Sequence, residues 1–166
     1  MKMTETRFLN YKRVLIVDDE PDVLDSLVDL LPMCDTVKAA TFDEAKELLE
    51  TQYFDIAILD IMGVEGYKLL ELANEKKVIA VMLTAHALSP ENVVKSFKEG
   101  AASYVPKDEM ANIATFLEDI LEAKEQGKSF WWRWMDRLGV YFDKKFGPNW
   151  LKGDEDILEK LSRYDI

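Results

Sequence analysis

Cysteine and histidine are almost absent from this sequence, which has one of each, Cys34 and His86. A single thiol excludes an internal disulfide framework and a cysteine metal site, and a lone imidazole excludes paired-histidine zinc chemistry. Such poverty of cysteine fits a reducing cytoplasm. No run of about 18 apolar residues occurs, so no membrane-spanning helix is expected. Met1 to Asn10 is mixed polar, unlike the apolar centre of an export signal. Positive charge is scarce too: 21 Lys and Arg stand against 32 Asp and Glu, a formal net charge of −11. A surface so acidic repels a phosphate backbone, so direct nucleic-acid binding is not expected. The scarcity is uneven, because residues 128–152 carry 6 positive and 2 negative side chains whereas residues 1–127 carry 13 and 25.

What the chain does have is apolar residues, 48% over 166 positions, enough to bury one full core and leave an appendage. Short β-branched runs alternate with helical patterns, as a parallel sheet covered by helices on both faces requires. The runs are Val14–Val17, Thr36–Ala40, Phe54–Leu59, Val78–Leu83 and Ser103–Val105. Between them, Pro21–Leu31 has helical apolar spacing, and Thr41 with Glu44 forms a capping box for a second helix. Gly66–Lys76 is a third helix. Ser89 and Pro90 open a fourth that Gly100 ends, and Ala111–Lys124 is a fifth. The fold class is therefore α/β, a doubly wound five-stranded parallel sheet of five βα units.

Ligands of such sheets sit beyond the carboxyl ends of the strands. The residues there are Asp18, Asp19 and Glu20 after the first run, Asp60 after the third, Thr84 after the fourth and Lys107 after the fifth. Clustered carboxylates raise one another's pKa unless a cation joins them, and a small set of hard oxygens suits Mg²⁺. With that charge offset, Asp60 can attack a phosphoryl donor, Lys107 can stabilise the transferring oxygens and Thr84 can donate a hydrogen bond. Each residue has a plainer reading: Asp18 and Asp19 as helix caps, Asp60 as a turn former, Thr84 and Lys107 as a strand-end hydroxyl and a solvated amine. The common cleft favours the functional one. His86 and Cys34 read as ordinary structural positions.

At these residues, in the order Val-Leu-Ile-Val-Asp18-Asp19-Glu20, Ile-Leu-Asp60-Ile-Met, Met-Leu-Thr84-Ala85 and Gly100-Ala-Ala-Ser-Tyr104-Val-Pro-Lys107, the sequence resembles the receiver domain of two-component response regulators. The resemblance implies a flavodoxin-like sheet of strand order 2-1-3-4-5 and a Mg²⁺ site at Asp18, Asp19 and Asp60, with Met62 completing the metal set. It also implies the phosphoacceptor Asp60, the switch pair Thr84 and Tyr104, and the phosphate-contacting Lys107. The expected activity is that of a stand-alone response regulator, not an enzyme. A sensor histidine kinase or phosphotransfer protein would phosphorylate Asp60, and an unidentified downstream protein would read the result. Two positions depart from the family pattern: Asp60-Ile-Met-Gly63-Val-Glu-Gly66 is about two residues short and lacks a proline, and Pro106 precedes Lys107 rather than following it. A haloacid-dehalogenase-type hydrolase would need an acid two residues after the nucleophile, where Met62 stands. A pseudo-receiver would not need all five chemical positions.

The expected division is a phosphoacceptor unit at 11–125 and a tryptophan-rich helical extension at 126–166. All four tryptophans, Trp131, Trp132, Trp134 and Trp150, lie in the extension. At 100° per residue, Phe130, Trp131, Trp134, Met135, Leu138, Tyr141, Phe142 and Phe146 share one face of a helix that Gly147-Pro148 ends. That apolar face can pack on its own domain, on a second copy as a homodimer, in a partner's groove, or on a membrane surface through residues 129–146, which would make the protein membrane-peripheral.

Overall fold

A computed structural model describes residues 8–127 and 131–154. Phe130 and positions 155–166 of the expected extension lie outside them, as do the side chains of Trp131 and Trp132. The apolar runs form β1 (Arg13–Val17), β2 (Asp35–Ala39), β3 (Ile56–Asp60), β4 (Ile79–Thr84) and β5 (Ser103–Pro106). They pair in parallel in the order β2-β1-β3-β4-β5, as expected. Every residue of the central β3 is buried, the signature of a strand covered on both faces. Register places Asp60 beside Leu83 and Thr84 beside Pro106, so the chemistry collects at one end of the sheet.

The helices are α1 (Pro21–Leu30), α2 (Phe42–Thr51), α3 (Gly66–Glu75), α4 (Pro90–Lys98), α5 (Ile113–Gln126) and α6 (Trp131–Phe146). Local chemistry sets their starts. Thr41 Oγ1 accepts from Glu44 N at 3.1 Å and the Glu44 carboxylate accepts from Ala40 N at 2.8 Å, a capping box that reaches one residue further back than the usual form. Ser89 caps α4 through Asn92 N at 3.1 Å. The fifth helix begins later than its spacing suggested: Lys107–Asn112 is a 3₁₀ turn, and α-helix starts at Ile113. Ala111 and Asn112 are exposed, whereas Ile113 is 0% exposed and is the first residue with a core to anchor it.

The sixth helix turns its apolar face onto the sheet domain. Trp134, Leu138 and Phe142 are buried, with Met135, Tyr141 and Phe146 partly buried around them. Trp134 meets Phe97 of α4 edge to face at 5.2 Å and stacks on Phe142 at 5.3 Å, while Phe142 lies 6.0 Å from Tyr104 of β5. Arg137 forks onto Asp119 of α5, and Arg133 pairs with Glu122 and with Asp119. The one basic stretch of the sequence thus supplies the countercharge for an acidic helix. Docked in this way, Trp134, Leu138 and Phe142 of the apolar face are covered by the chain itself. Among the described residues no helix is long and apolar enough to cross a membrane.

Candidate functional site

Strand ends deliver the site. After β1 the chain turns through Asp18, Asp19 and Glu20 into α1, whose start is capped by no side chain, so the acids are not spent on helix capping. Asp18 Oδ1 accepts from Glu20 N at 2.9 Å, which fixes the turn. Asp18 and Asp60 are buried, at 0% and 3% exposure. Lys107, at the end of β5, reaches back across the sheet: its Nζ lies 2.7 Å from Glu20 Oε1, 2.9 Å from Asp18 Oδ2 and 3.8 Å from Asp60 Oδ1. The four expected polar residues Asp18, Asp60, Thr84 and Lys107 therefore stand at one edge, with Asp19 exposed beside them.

Burial dominates the electrostatics. It raises the Asp60 pKa to about 7, and the Asp18 charge adds to the rise while Lys107 opposes it. Asp18 is raised by burial as well, against the pull of Lys107. Burial works against the Lys107 ammonium, yet the bonds to Glu20 and Asp18 outweigh it and leave its pKa above the usual value. Glu20 moves the other way, held below the ordinary carboxylate range by its bond to Lys107. Two carboxyls that resist ionisation beside one ammonium form a site short of positive charge.

The donor set fits a hard divalent cation. Asp18, Asp19 and Glu20 can bring one oxygen each within 4.8 Å of one another. Asp18 Oδ2 is buried and accepts no aligned hydrogen bond; its contact with Lys107 is ionic, off the hydrogen-bonding direction. A buried carboxylate oxygen held by an ion pair without hydrogen-bond alignment is a group that a cation would satisfy further. Met62 is 52% exposed in the loop after Asp60, and its thioether is too soft for Mg²⁺, so only its backbone carbonyl could join the set.

The shortened loop closes by glycine. Gly63 has φ +87°, and a Cβ there would stand 2.5 Å from Asp19 Oδ2. A Cβ on Gly66 would stand 2.2 Å from the Asp60 carbonyl oxygen, so the first turn of α3 presses directly on the Asp60 backbone. Glu20 joins the site in a role that the sequence did not assign it. It was visible as the third acid of the first strand end, but its hold on Lys107 spans 87 positions and has no local signature.

A family model described as the response regulator receiver domain matches residues 14–118. The chain is 36% identical over 101 residues to a two-component response regulator of Arabidopsis thaliana, covering 57% of this chain and 16% of that protein. It is 36% identical over 99 residues to the heme response regulator HssR of Staphylococcus aureus, covering 56% of this chain and 43% of that one. The chain thus spans less than half the length of these two relatives. A CheY-like receiver domain protein from Methanospirillum hungatei superposes with a TM-score of 0.64 at 31% identity, over 70% of this chain and 98% of the other. The match runs from the second residue of β1 into α5, taking in every strand end that carries an acid, the hydroxyl or the ammonium, and the chain belongs to the response regulator receiver domain family.

Proposed function

We propose that this chain is a response regulator whose Asp60 accepts a phosphoryl group from a histidine kinase or phosphotransfer protein and whose output is a changed protein contact. Receiver domains are signalling modules of two-component systems that bind Mg²⁺ in their acidic pocket and interact with such donors. The observation that carries the reading is Asp60 itself: a buried carboxylate at the sheet edge, 3.8 Å from a lysine ammonium and raised to about pKa 7 by burial. In transfer, one Asp60 oxygen bonds to phosphorus as the P–N bond of a phosphohistidine breaks, and the leaving imidazole keeps the electron pair and takes up a proton. Bound Mg²⁺ would offset the clustered carboxylates and the charge on the transferring oxygens. Asp18, Asp19 and Glu20 would hold the ion, with Asp60 and the Met62 carbonyl completing the set. Lys107 already lies within reach of a group carried on Asp60, and Thr84 would donate to the same group.

We take residues 11–125 as the phosphoacceptor unit and 126–166 as its extension. Intact mass after incubation with Mg²⁺ and acetyl phosphate tests the assignment. One added phosphoryl group is expected on the native chain and none on Asp60→Asn. No gain in either, or an equal gain in both, would refute it.

A further inference from the structure

Three hydrogen bonds run in series from the end of β4 to α6. Ala87 N donates to Thr84 Oγ1 at 3.0 Å, the Tyr104 hydroxyl donates to the Ala87 carbonyl at 2.8 Å, and the Trp134 indole N–H donates to the Tyr104 carbonyl at 3.1 Å. The links are dry: Thr84 and Tyr104 are 0% exposed and Trp134 is 3% exposed. The Tyr104 ring is enclosed, with Phe142 of α6 at 6.0 Å. Phe142 stacks on Trp134, which is wedged against Phe97. In an interior packed this closely, Tyr104 cannot change rotamer unless Phe142 or Trp134 gives way.

We propose that α6 is an internal effector of the phosphoacceptor site: docked through Trp134 and Phe142, it holds Tyr104 and the Thr84–Ala87 turn in the arrangement that favours an anionic group on Asp60, and such a group tightens α6 in return. This rests on the phosphoacceptor reading of Asp60. The direction follows from hydrogen-bond capacity. A hydroxyl offers one hydrogen and two lone pairs. With Ala87 N on a lone pair of Thr84, the Thr84 hydrogen is left to donate to an acceptor at the strand ends. Undocking α6 removes the Trp134 bond and the Phe142 wall, frees Tyr104 from Ala87, and lets the turn and the Thr84 rotor relax. Coupling of binding free energies is reciprocal, so what α6 does for the anion the anion does for α6. A helix that only enlarged the core would change stability and leave ligand affinity untouched.

Beryllofluoride with Mg²⁺, a mimic of the acyl phosphate, is the probe, titrated calorimetrically into the full chain and followed by hydrogen exchange over residues 131–146. Exchange across α6 is expected to slow about fivefold or more in the native chain and not in Asp60→Asn. Trp134→Phe keeps a ring and loses the N–H, and Phe142→Leu keeps buried volume; each is expected to bind beryllofluoride about fivefold more weakly. Beryllofluoride binding with unchanged α6 exchange, or native affinity retained in both variants, would overturn the proposal and leave the phosphoacceptor reading standing. No binding to the native chain would sink both. The exchange measurement on native protein needs no variant, so poor folding of either substitution does not blunt the test.

Discussion

Removing the Asp60 carboxylate should stabilise the metal-free protein, and only above acid pH. Asp60 titrates near 3.8 when exposed and at about 7 in the fold, because burial and the Asp18 charge disfavour its ionised form. The folded state therefore binds more protons than the unfolded one between those values, and stability falls as pH rises through the window. Below about pH 4 both states hold the proton and the effect is absent. Above about pH 7 it is complete, and at about 1.4 kcal/mol per unit of pKa it amounts to at most about 4 kcal/mol. Asp60→Asn removes that term and the repulsion on Asp18 together.

Urea unfolding in EDTA at a series of pH values between 4 and 8 tests this. The variant and the native chain should match at the acid end and separate steadily, the variant ahead by about 2–4 kcal/mol at the alkaline end, each kcal/mol raising Tm by roughly 2–4 °C for a chain this size. Saturating Mg²⁺ should close most of the gap, since a cation on the carboxylates removes the penalty that burial imposed. A gap of the same size at all pH values, or an alkaline advantage for the native chain, would refute the buried-charge account of the site.

Other consequences concern neighbours of Asp60 and the last helix. Lys107→Ala should raise Mg²⁺ affinity roughly tenfold by calorimetry, because an ammonium 2.9 Å from Asp18 competes with the metal for the same oxygen, while phosphorylation slows. Gly66→Ala should cost about 1–3 kcal/mol in urea melts and weaken Mg²⁺ binding, since its Cβ would collide with the Asp60 carbonyl at 2.2 Å. Phe142→Ala should cost about 3–5 kcal/mol, whereas Val140→Ala, on the solvent face of the same helix at 66% exposure, should change unfolding free energy by less than about 0.5 kcal/mol.

Strand positions and the identity of the converging acids were legible because both follow from local rules. An apolar run such as Val78–Leu83, short and rich in β-branched residues, suits a strand buried on both faces, and the polar residue that ends it then emerges where ligands bind. The amphipathic face of α6 was equally readable, and Trp134, Leu138 and Phe142 are buried as the period demanded. Periodicity says that a face will be buried and is silent on what buries it. The sequence left a self-contact, a second copy, a groove and a membrane open for that reason; the structure adds that Phe97 and Tyr104 lie beneath Trp134 and Phe142. The 3₁₀ turn at Lys107–Asn112 escaped notice because Ala111 and Asn112 suit a helix as residue types but have no core to grip. The loop after Asp60 could be seen to be short. That it closes by setting Gly66 against the Asp60 carbonyl could not, since close approach depends on backbone geometry.

The placement of scarce positive charge ties these observations together. In a chain of net charge −11 the buried acids among the described residues fall in two groups, one at the strand ends and one along α5, and cations from other elements answer Asp18 and Asp119. Lys107 answers Asp18, and Arg133 with Arg137 answers Asp119. The first answer is incomplete: Asp18 Oδ2 has no aligned donor and Asp60 resists ionisation, which leaves room for a metal and a reaction. The second is closer to complete, because Arg137 meets Asp119 through two nitrogens and Arg133 approaches the same carboxylate. Between the two lies Tyr104, bonded through its hydroxyl toward the reactive end and through its carbonyl toward the settled one. A charge change at the under-compensated site has a short buried route to α6, and the arginine pairs keep that helix in place to register it.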